Sequence, residues 1–146
     1  MTPLRIKRLQ LTNYRCFESL DLALEDDLTV LFAENGGGKT ALLTALAMGL
    51  AVFQRGAPRS LKLSPSSDRR QRTLDEQGRR EPAGSCTISL AAASGAGPAT
   101  EWSTTVNPAS GRTTKKHRSI LEAIETIRVP GDRWEAYASS LDPALI

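Results

Sequence analysis

The 146-residue sequence has few of the residues from which metal and redox sites are built. It contains two cysteines, Cys16 and Cys86, and one histidine, His117. The cysteines are far apart and belong to no metal-binding motif, so we predict reduced thiols in a cytoplasmic protein and no zinc site. His117 stands in a basic cluster and has no partner that would make it a catalytic base.

Long hydrophobic runs are also missing. The longest apolar stretch, residues 41–53, is interrupted by Thr44 and Gly49 and is too short to span a bilayer. The first residues lack the apolar centre of a signal peptide. A charged content of 24% is ordinary for a soluble protein. We therefore expect one soluble domain with no membrane partner.

The most informative stretch that is present covers residues 28–43. Residues 28–32 carry no charge and predict a strand buried on both faces. Residues 40–53 are mostly Ala, Leu and Met, which favour a helix. Between them, three consecutive glycines allow several backbone N–H groups to face one hollow at the positive end of the helix dipole, where phosphate is favoured.

This strand–loop–helix pattern predicts a P-loop that binds ATP and Mg²⁺. Lys39 is the predicted catalytic residue because its ammonium would reach the β- and γ-phosphates, and the Thr40 hydroxyl would be a metal ligand. Ala33 stands where the pattern has its first glycine, which is harmless only if its φ is negative. The alternative is a glycine-rich connection followed by Lys-Thr by chance. The predicted nucleotide-binding residues are Glu34, Asn35, Gly36, Gly37, Gly38, Lys39, Thr40 and Ala41.

Two further strands are predicted before the strand at residues 28–32, so three strands precede the loop. In residues 4–13 the apolar residues change face midway, which a bulge near Arg8 would reconcile. After a turn at residues 13–17, Leu20, Leu22 and Leu24 alternate with polar or small residues, as in a half-buried strand.

Together these features resemble the beginning of a known family. Residues 4–17, the leucine-alternating strand and Asn-Gly-Gly-Gly-Lys-Thr at 35–40 are similar to the start of the RecF/SMC-type ABC ATPase head. They look most similar to bacterial AAA-family ATPases of the overcoming-lysogenization and Septu/retron defence type. The resemblance covers residues 4–53, and a weaker similarity is found at residues 133–143. It implies that Arg15 lies near the nucleotide, and the alternative for Arg15 is a solvated arginine in a turn.

The fold class that this resemblance implies is α/β. It is the N-terminal lobe of an ABC-type P-loop NTPase, with a mixed or antiparallel β-sheet packed on the P-loop helix. We expect a single partial domain over residues 1–146. Its predicted parts are strands, P-loop and helix at 1–54, a basic exposed loop at 55–83, a β-hairpin at 84–108 and a helical segment at 113–146.

The basic loop contains Arg69, Arg70 and Arg72 and would neutralise the phosphates of DNA. No aromatic residue is interleaved there to stack on bases, so a solvated insertion is the favoured interpretation. The helical segment is expected to contain one helix from about Thr114 to Arg128 and a shorter one at residues 132–140.

Hydrolysis of ATP needs a carboxylate for the hydrated metal, commonly at the end of an apolar strand. No apolar run of this sequence ends in Asp-Glu, and Ser94-Gly95-Ala96-Gly97 lies in a predicted hairpin turn, unlike an ABC signature. We therefore expect hydrolysis only when a missing C-terminal lobe or a partner completes the site. Either the sequence is a fragment or a second polypeptide supplies the rest. By resemblance, the expected partners are a second copy, a completing ATPase lobe, DNA or a nuclease, in DNA repair or phage defence.

Two other functions remain open. The first is a non-catalytic nucleic-acid- or protein-binding module with a degenerate P-loop, which Ala33 and the missing acidic strand favour. The second is another P-loop class, such as a small kinase or GTPase. The strands that precede the loop argue against it, because those classes commonly place the loop directly after their first strand.

Overall fold

The computed structural model describes residues 4–51, 62–74, 76–94, 98–107, 110 and 112–115. Five strands form one sheet in the order β2-β1-β5-β6-β7, and β3 pairs with β4. All of these pairings are antiparallel. The elements in chain order are β1 (Leu4–Tyr14), β2 (Phe17–Ala23), α1 (Lys39–Leu50), β3 (Gln71–Thr73), β4 (Arg80–Pro82), β5 (Cys86–Ser94), β6 (Thr100–Val106) and β7 (Thr113–Lys115).

Strand β1 lies between β2 and β5 and contributes much of the core. Its register on β5 shifts between Ile6 and Arg8, which confirms the bulge expected near Arg8. A bulge inserts one residue and so changes the face on which the following side chains lie. As a result Ile6 packs against the same core as Leu9 and Leu11, both of which are buried.

Strand β2 confirms the alternation read from the sequence. Leu20 and Leu22 are partly buried against the core, whereas Ser19 and Asp21 between them are exposed. This strand therefore has one face on the core and one face in solvent, as a half-buried antiparallel strand should.

Helix α1 packs on β5 and β6 and positions the loop that precedes it. Trp102 Nε1 donates a hydrogen bond to the carbonyl of Gly49 at 2.9 Å, and a Cβ built on Gly49 would lie 2.4 Å from Leu90 Cδ1. Met48 of the same helix lies 3.9 Å from the Tyr14 hydroxyl at the end of β1. None of the helices in the described part of the chain has the length and apolarity that a membrane span requires.

The buried strand predicted at residues 28–32 is wrong. This stretch has no regular secondary structure, and the side chains of Leu28, Val30 and Phe32 are 74%, 65% and 96% exposed. A strand buried on both faces needs paired neighbours and a covering layer. Among the described residues, no strand of the five-stranded sheet pairs with this run.

In the second half of the chain, one prediction from the sequence agrees with the structure and another must be corrected. The β-hairpin predicted at residues 84–108 corresponds to β5 and β6, which pair antiparallel. Within the stretch predicted as a basic loop, β3 and β4 form a short hairpin that the sequence analysis did not foresee.

The start of the predicted C-terminal helix is also wrong. Thr114 and Lys115 belong to β7, which pairs with β6. An edge strand of this kind depends on its neighbour in the sheet, which helical periodicity does not reveal. The rest of that helix, the helix predicted at 132–140, His117 and residues 95–97 lie outside the described residues.

Gly49→Ala tests the packing of α1 on the sheet. Because the new Cβ would lie 2.4 Å from Leu90 Cδ1, we expect the free energy of unfolding to fall by about 1–3 kcal/mol despite the better helix propensity of alanine. Urea denaturation measures the change. In a Leu90→Ala background the clash is absent, and the same substitution should be neutral or slightly stabilising. Equal losses in both backgrounds would contradict the proposed contact.

Candidate functional site

The glycine loop, defined here as residues 33–38, connects the exposed apolar run to α1. Gly36 and Gly38 both have φ of 88°, a left-handed conformation that favours glycine. The N–H of Gly37 donates to the carbonyl of Glu34 at 3.0 Å and closes a turn. Gly38 is the N-cap of α1, where no described side chain caps the helix and the first turn has no acidic residue. The helix start is therefore open to an anion, which its dipole favours.

Lys39 begins α1, and its side chain folds back over the loop. Its Nζ donates to the carbonyl of Ala33 at 2.5 Å and to that of Glu34 at 2.9 Å. The ammonium thus lies above the backbone that leads to the uncapped helix start. A positive charge beside the N–H groups of a helix start suits the oxygens of a phosphate group, so the donors present here are of the kind that phosphate binding needs.

Thr40 and Asn35, two further residues of the predicted site, are exposed. The Thr40 carbonyl accepts a hydrogen bond from Thr44 Oγ1 at 2.7 Å inside the helix. Within the described ranges no three His, Cys, Asp or Glu side chains are grouped as metal ligands. Thr40 remains the protein ligand predicted for Mg²⁺.

Ala33, which replaces the first glycine of the pattern, adopts an ordinary φ. Among the described non-glycine residues, positive φ occurs only at Asn13 and Arg15. The alanine methyl group has a consequence for its neighbour, because a Cβ built on Gly37 would lie 2.8 Å from Ala33 Cβ. Alanine at this position is therefore unstrained, but it leaves no room for a side chain at Gly37.

The turn at residues 13–17, between β1 and β2, lies directly against the end of the glycine loop. A Cβ built on Gly38 would be 2.6 Å from Phe17 Cζ and 2.9 Å from Cys16 Sγ. Gly38 is thus required twice, once by its φ and once by this close approach. The sequence predicts the turn and the loop separately, and their contact is evident only in the structure.

Arg15 of the same turn was predicted near the nucleotide, and the structure pairs it with Asp68. Its Nε and Nη2 both lie 2.9 Å from Asp68 Oδ1, and the guanidinium lies over the Tyr14 ring at 5.3 Å from the centroid. A contact of Arg15 with nucleotide stays a prediction.

Asp68 is the residue of this region that sequence reasoning missed. It is 1% exposed, and its Oδ2 accepts the backbone N–H of Ser64 at 2.8 Å. Its carbonyl accepts the backbone N–H of Arg15 at 2.8 Å. The available signal was weak, because Asp68 is simply the first acidic residue after Glu34 and stands in a basic stretch.

The two free cysteines differ in burial, because Cys86 is buried and Cys16 is exposed. Burial, and then the negative charge of Asp68, raises the pKa of the Cys86 thiol to about 12. Burial likewise raises the pKa of Tyr14 to about 12, an effect that Arg15 opposes. Cys86 therefore stays protonated and inaccessible at neutral pH, whereas Cys16 is exposed.

Comparison with known proteins gives the family. Residues 8–140 match the model described as AAA domain. The chain belongs to the AAA domain family. Over 60 residues, or 41% of the chain, this AAA domain is 35% identical to the DNA replication and repair protein RecF of Oceanobacillus iheyensis. Over 47 residues, or 32% of the chain, it is 43% identical to the DNA double-strand break repair Rad50 ATPase of Methanosarcina mazei.

A similarity of the same kind extends to the Structural maintenance of chromosomes protein 6A of Arabidopsis thaliana, at 34% identity over 59 residues, or 40% of the chain. The matched parts cover 16% of the RecF protein, 6% of protein 6A and 4% of the Rad50 ATPase. The AAA domain thus spans a small part of the relatives that it matches. Together the matches support the N-terminal region of an ABC-type ATPase, a class that uses nucleotide and Mg²⁺.

Gly38→Ala and Gly36→Ala form a matched pair for the loop geometry. Both glycines have φ of 88°, but a Cβ on Gly36 meets nothing within 4 Å. We expect Gly36→Ala to lower the free energy of unfolding by about 1 kcal/mol through backbone strain alone. Gly38→Ala should cost about 2–4 kcal/mol, because overpacking against Phe17 is added to the strain. Equal losses in urea denaturation would show that the turn does not contact the loop.

Gly37→Ala tests the consequence of Ala33. We expect the substitution to weaken ATP binding by about tenfold, because the loop backbone must shift to admit the new methyl group beside Ala33. Adding Ala33→Gly should restore most of the affinity because it removes the clashing Cβ. Fluorescence titration with a labelled ATP measures both variants, and Ala33→Gly alone is the control. A double variant as weak as Gly37→Ala would rule out the contact as the cause.

Proposed function

We propose that this AAA domain is the ATP-binding N-terminal lobe of an ABC-type ATPase of the RecF/SMC type. Hydrolysis of ATP–Mg²⁺ would occur only when another lobe or a partner completes the site. The observation that carries the proposal is the Lys39 ammonium, which lies over the carbonyls of Ala33 and Glu34 beside the uncapped start of α1.

The loop residues divide the work of holding the nucleotide. The backbone of residues 34–38 and the first turn of α1, including Ala41, would surround the phosphates with N–H donors. Lys39 would exchange two neutral carbonyl acceptors for charged phosphate oxygens, which are stronger partners. The Thr40 hydroxyl would be a ligand of Mg²⁺, which supplies charge neutralisation when bound.

The exposed apolar run at residues 28–32 supports the proposal that further protein completes the ATP site. Leu28, Val30 and Phe32 are alternate residues of an uncharged run, and each is more than half exposed. Leu43 of α1, which follows the loop, is also 61% exposed. A row with strand spacing and so much exposed apolar surface is suited to an adjoining strand and its covering layer. A C-terminal lobe, a separate ATPase lobe or a second copy of the chain would supply them.

DNA is the proposed partner of the completed protein, because the similar RecF and Rad50 proteins are named for DNA replication and repair and for double-strand break repair. The phage-defence process and a nuclease partner stay predictions from resemblance, and the cytoplasmic location stays a prediction from the two isolated cysteines. The alternative of a non-catalytic nucleic-acid module gains no support from the basic segment. Arg72 pairs with Glu81, and Arg70 pairs with Glu18 at 3.4 Å.

Lys39→Ala tests the proposed function. We expect wild-type chain to bind ATP–Mg²⁺ and the variant to lose at least about tenfold in affinity, because a charge-assisted contact to phosphate is removed. Isothermal titration calorimetry gives both constants. Lys62→Ala, which removes an exposed lysine outside the loop, is the matched control and should bind like wild type. Titration with GTP separates an ATP site from the site of a GTPase. Equal ATP affinities for wild type and Lys39→Ala would end the proposal.

A further inference from the structure

We propose that Asp68 is a positioning residue for nucleotide binding, which acts by fixing the turn at residues 13–17 against Gly38 of the glycine loop. This inference rests on the proposed function. The inference assigns a role in the site to the segment after α1, residues 62–74, for which the sequence favoured only a solvated basic insertion.

The first step is the ion pair itself. Asp68 is almost fully buried, so its carboxylate must be compensated by charge and hydrogen bonds. Arg15 provides two guanidinium contacts to Oδ1, and the backbone N–H of Ser64 provides one to Oδ2. The Arg15 contacts join residues 62–70, which follow α1, to the turn between β1 and β2, whereas the Ser64 contact holds the carboxylate from within residues 62–70.

The second step is the backbone of the turn. Asn13 and Arg15 both have φ of 48°, which is unfavourable for residues with a Cβ and persists only where the surroundings impose it. The Arg15 N–H donates to the carbonyl of Asp68, and the Arg70 N–H donates to the carbonyl of Asn13, each at 2.8 Å. Asn13 Nδ2 also donates to the carbonyl of Ser85 at 3.1 Å. Residues far along the chain therefore hold the turn in its strained shape.

The third step joins the turn to the phosphate loop. Cys16 and Phe17 follow Arg15 directly, and both touch Gly38, as the distances from its built Cβ show. Gly38 is the N-cap of α1, so its position sets where the first N–H groups of the helix point. Asp68 therefore reaches Gly38 through an unbroken series of contacts. It binds Arg15, the chain continues to Cys16 and Phe17, and these two side chains pack against Gly38.

Charge and position predict opposite effects for the loss of this carboxylate. If Asp68 acted on ATP only through its negative charge, neutralising it would strengthen the binding of an anion. If Asp68 positions the turn, neutralising it releases Arg15 and the strained backbone, and ATP binding weakens. The sign of the change in affinity therefore separates the two roles.

Asp68→Asn in the full chain is the test. We expect ATP–Mg²⁺ to bind about tenfold more weakly, the size expected when one hydrogen-bonded charge pair is lost. Glu81→Gln is the matched control, since it breaks the exposed Arg72–Glu81 pair on the β3–β4 hairpin and should leave the affinity unchanged. Unchanged or tighter ATP binding by folded Asp68→Asn would overturn the proposal.

Cys16 provides a readout that a general loss of stability would not mimic. A thiol reagent should label Cys16, which touches Gly38, and should spare the buried Cys86. We expect ATP to slow labelling of the wild type. In Asp68→Asn, labelling without nucleotide should be several-fold faster, and the ATP concentration that protects the wild type should no longer protect. The same labelling rate in both proteins would count against the link.

Arg15→Lys serves if Asp68→Asn does not fold. It keeps the positive charge but cannot reproduce the two guanidinium contacts to Oδ1, so weaker ATP binding and faster Cys16 labelling are expected again. Wild-type behaviour of Arg15→Lys in both measurements would overturn the proposal. A wild-type chain that binds no ATP would instead remove the proposed function, and the labelling of Cys16 without nucleotide would still report on the turn.

Discussion

The close approach of Gly38 to the turn between β1 and β2 is the contact on which the candidate site depends. Phe17 and Cys16 leave no room for a side chain there, and the left-handed φ of Gly38 starts α1 in the required direction. The same helix is anchored at its other end, where Trp102 donates to the Gly49 carbonyl. Helix α1 is thus held at both ends, which fixes the position of Lys39 and of the first helical turn relative to the sheet.

Left-handed φ angles occur at four positions in the glycine loop and in the turn at residues 13–17 that supports it. Glycine occupies both left-handed positions of the loop, whereas Asn13 and Arg15 take left-handed φ in the supporting turn. Non-glycine residues remain in such a conformation only where other contacts compensate for it. Asp68 provides that compensation for Arg15 with its carboxylate and its carbonyl, and hydrogen bonds to Arg70 and Ser85 provide it for Asn13. In the proposed role of Asp68, a segment that is basic in composition would contribute to the site through its buried acid, while two of its arginines pair with glutamates.

The apolar run before the loop shows the opposite situation. Leu28, Val30 and Phe32 have the composition of an interior strand but stand in solvent. A strand has no internal hydrogen bonds, so its burial depends wholly on neighbours that the run itself does not specify. A helix satisfies its own backbone, which is why α1 forms next to the same loop at the place where its composition predicts it. The difference in exposure between the two elements follows from this difference in hydrogen bonding.

The sequence by itself determined what depends on local chemistry. The glycines and Lys39 located the loop, alternation located β2, and a change of face located the bulge near Arg8. These signals are local, because φ preference and periodicity are properties of short segments. Only the tertiary structure decided which distant segments meet. It paired Arg15 with Asp68, placed Cys16 and Phe17 against Gly38, made a strand of Thr113–Lys115 and left residues 28–32 exposed. Such contacts depend on burial and partners far along the chain, and no local pattern encodes them.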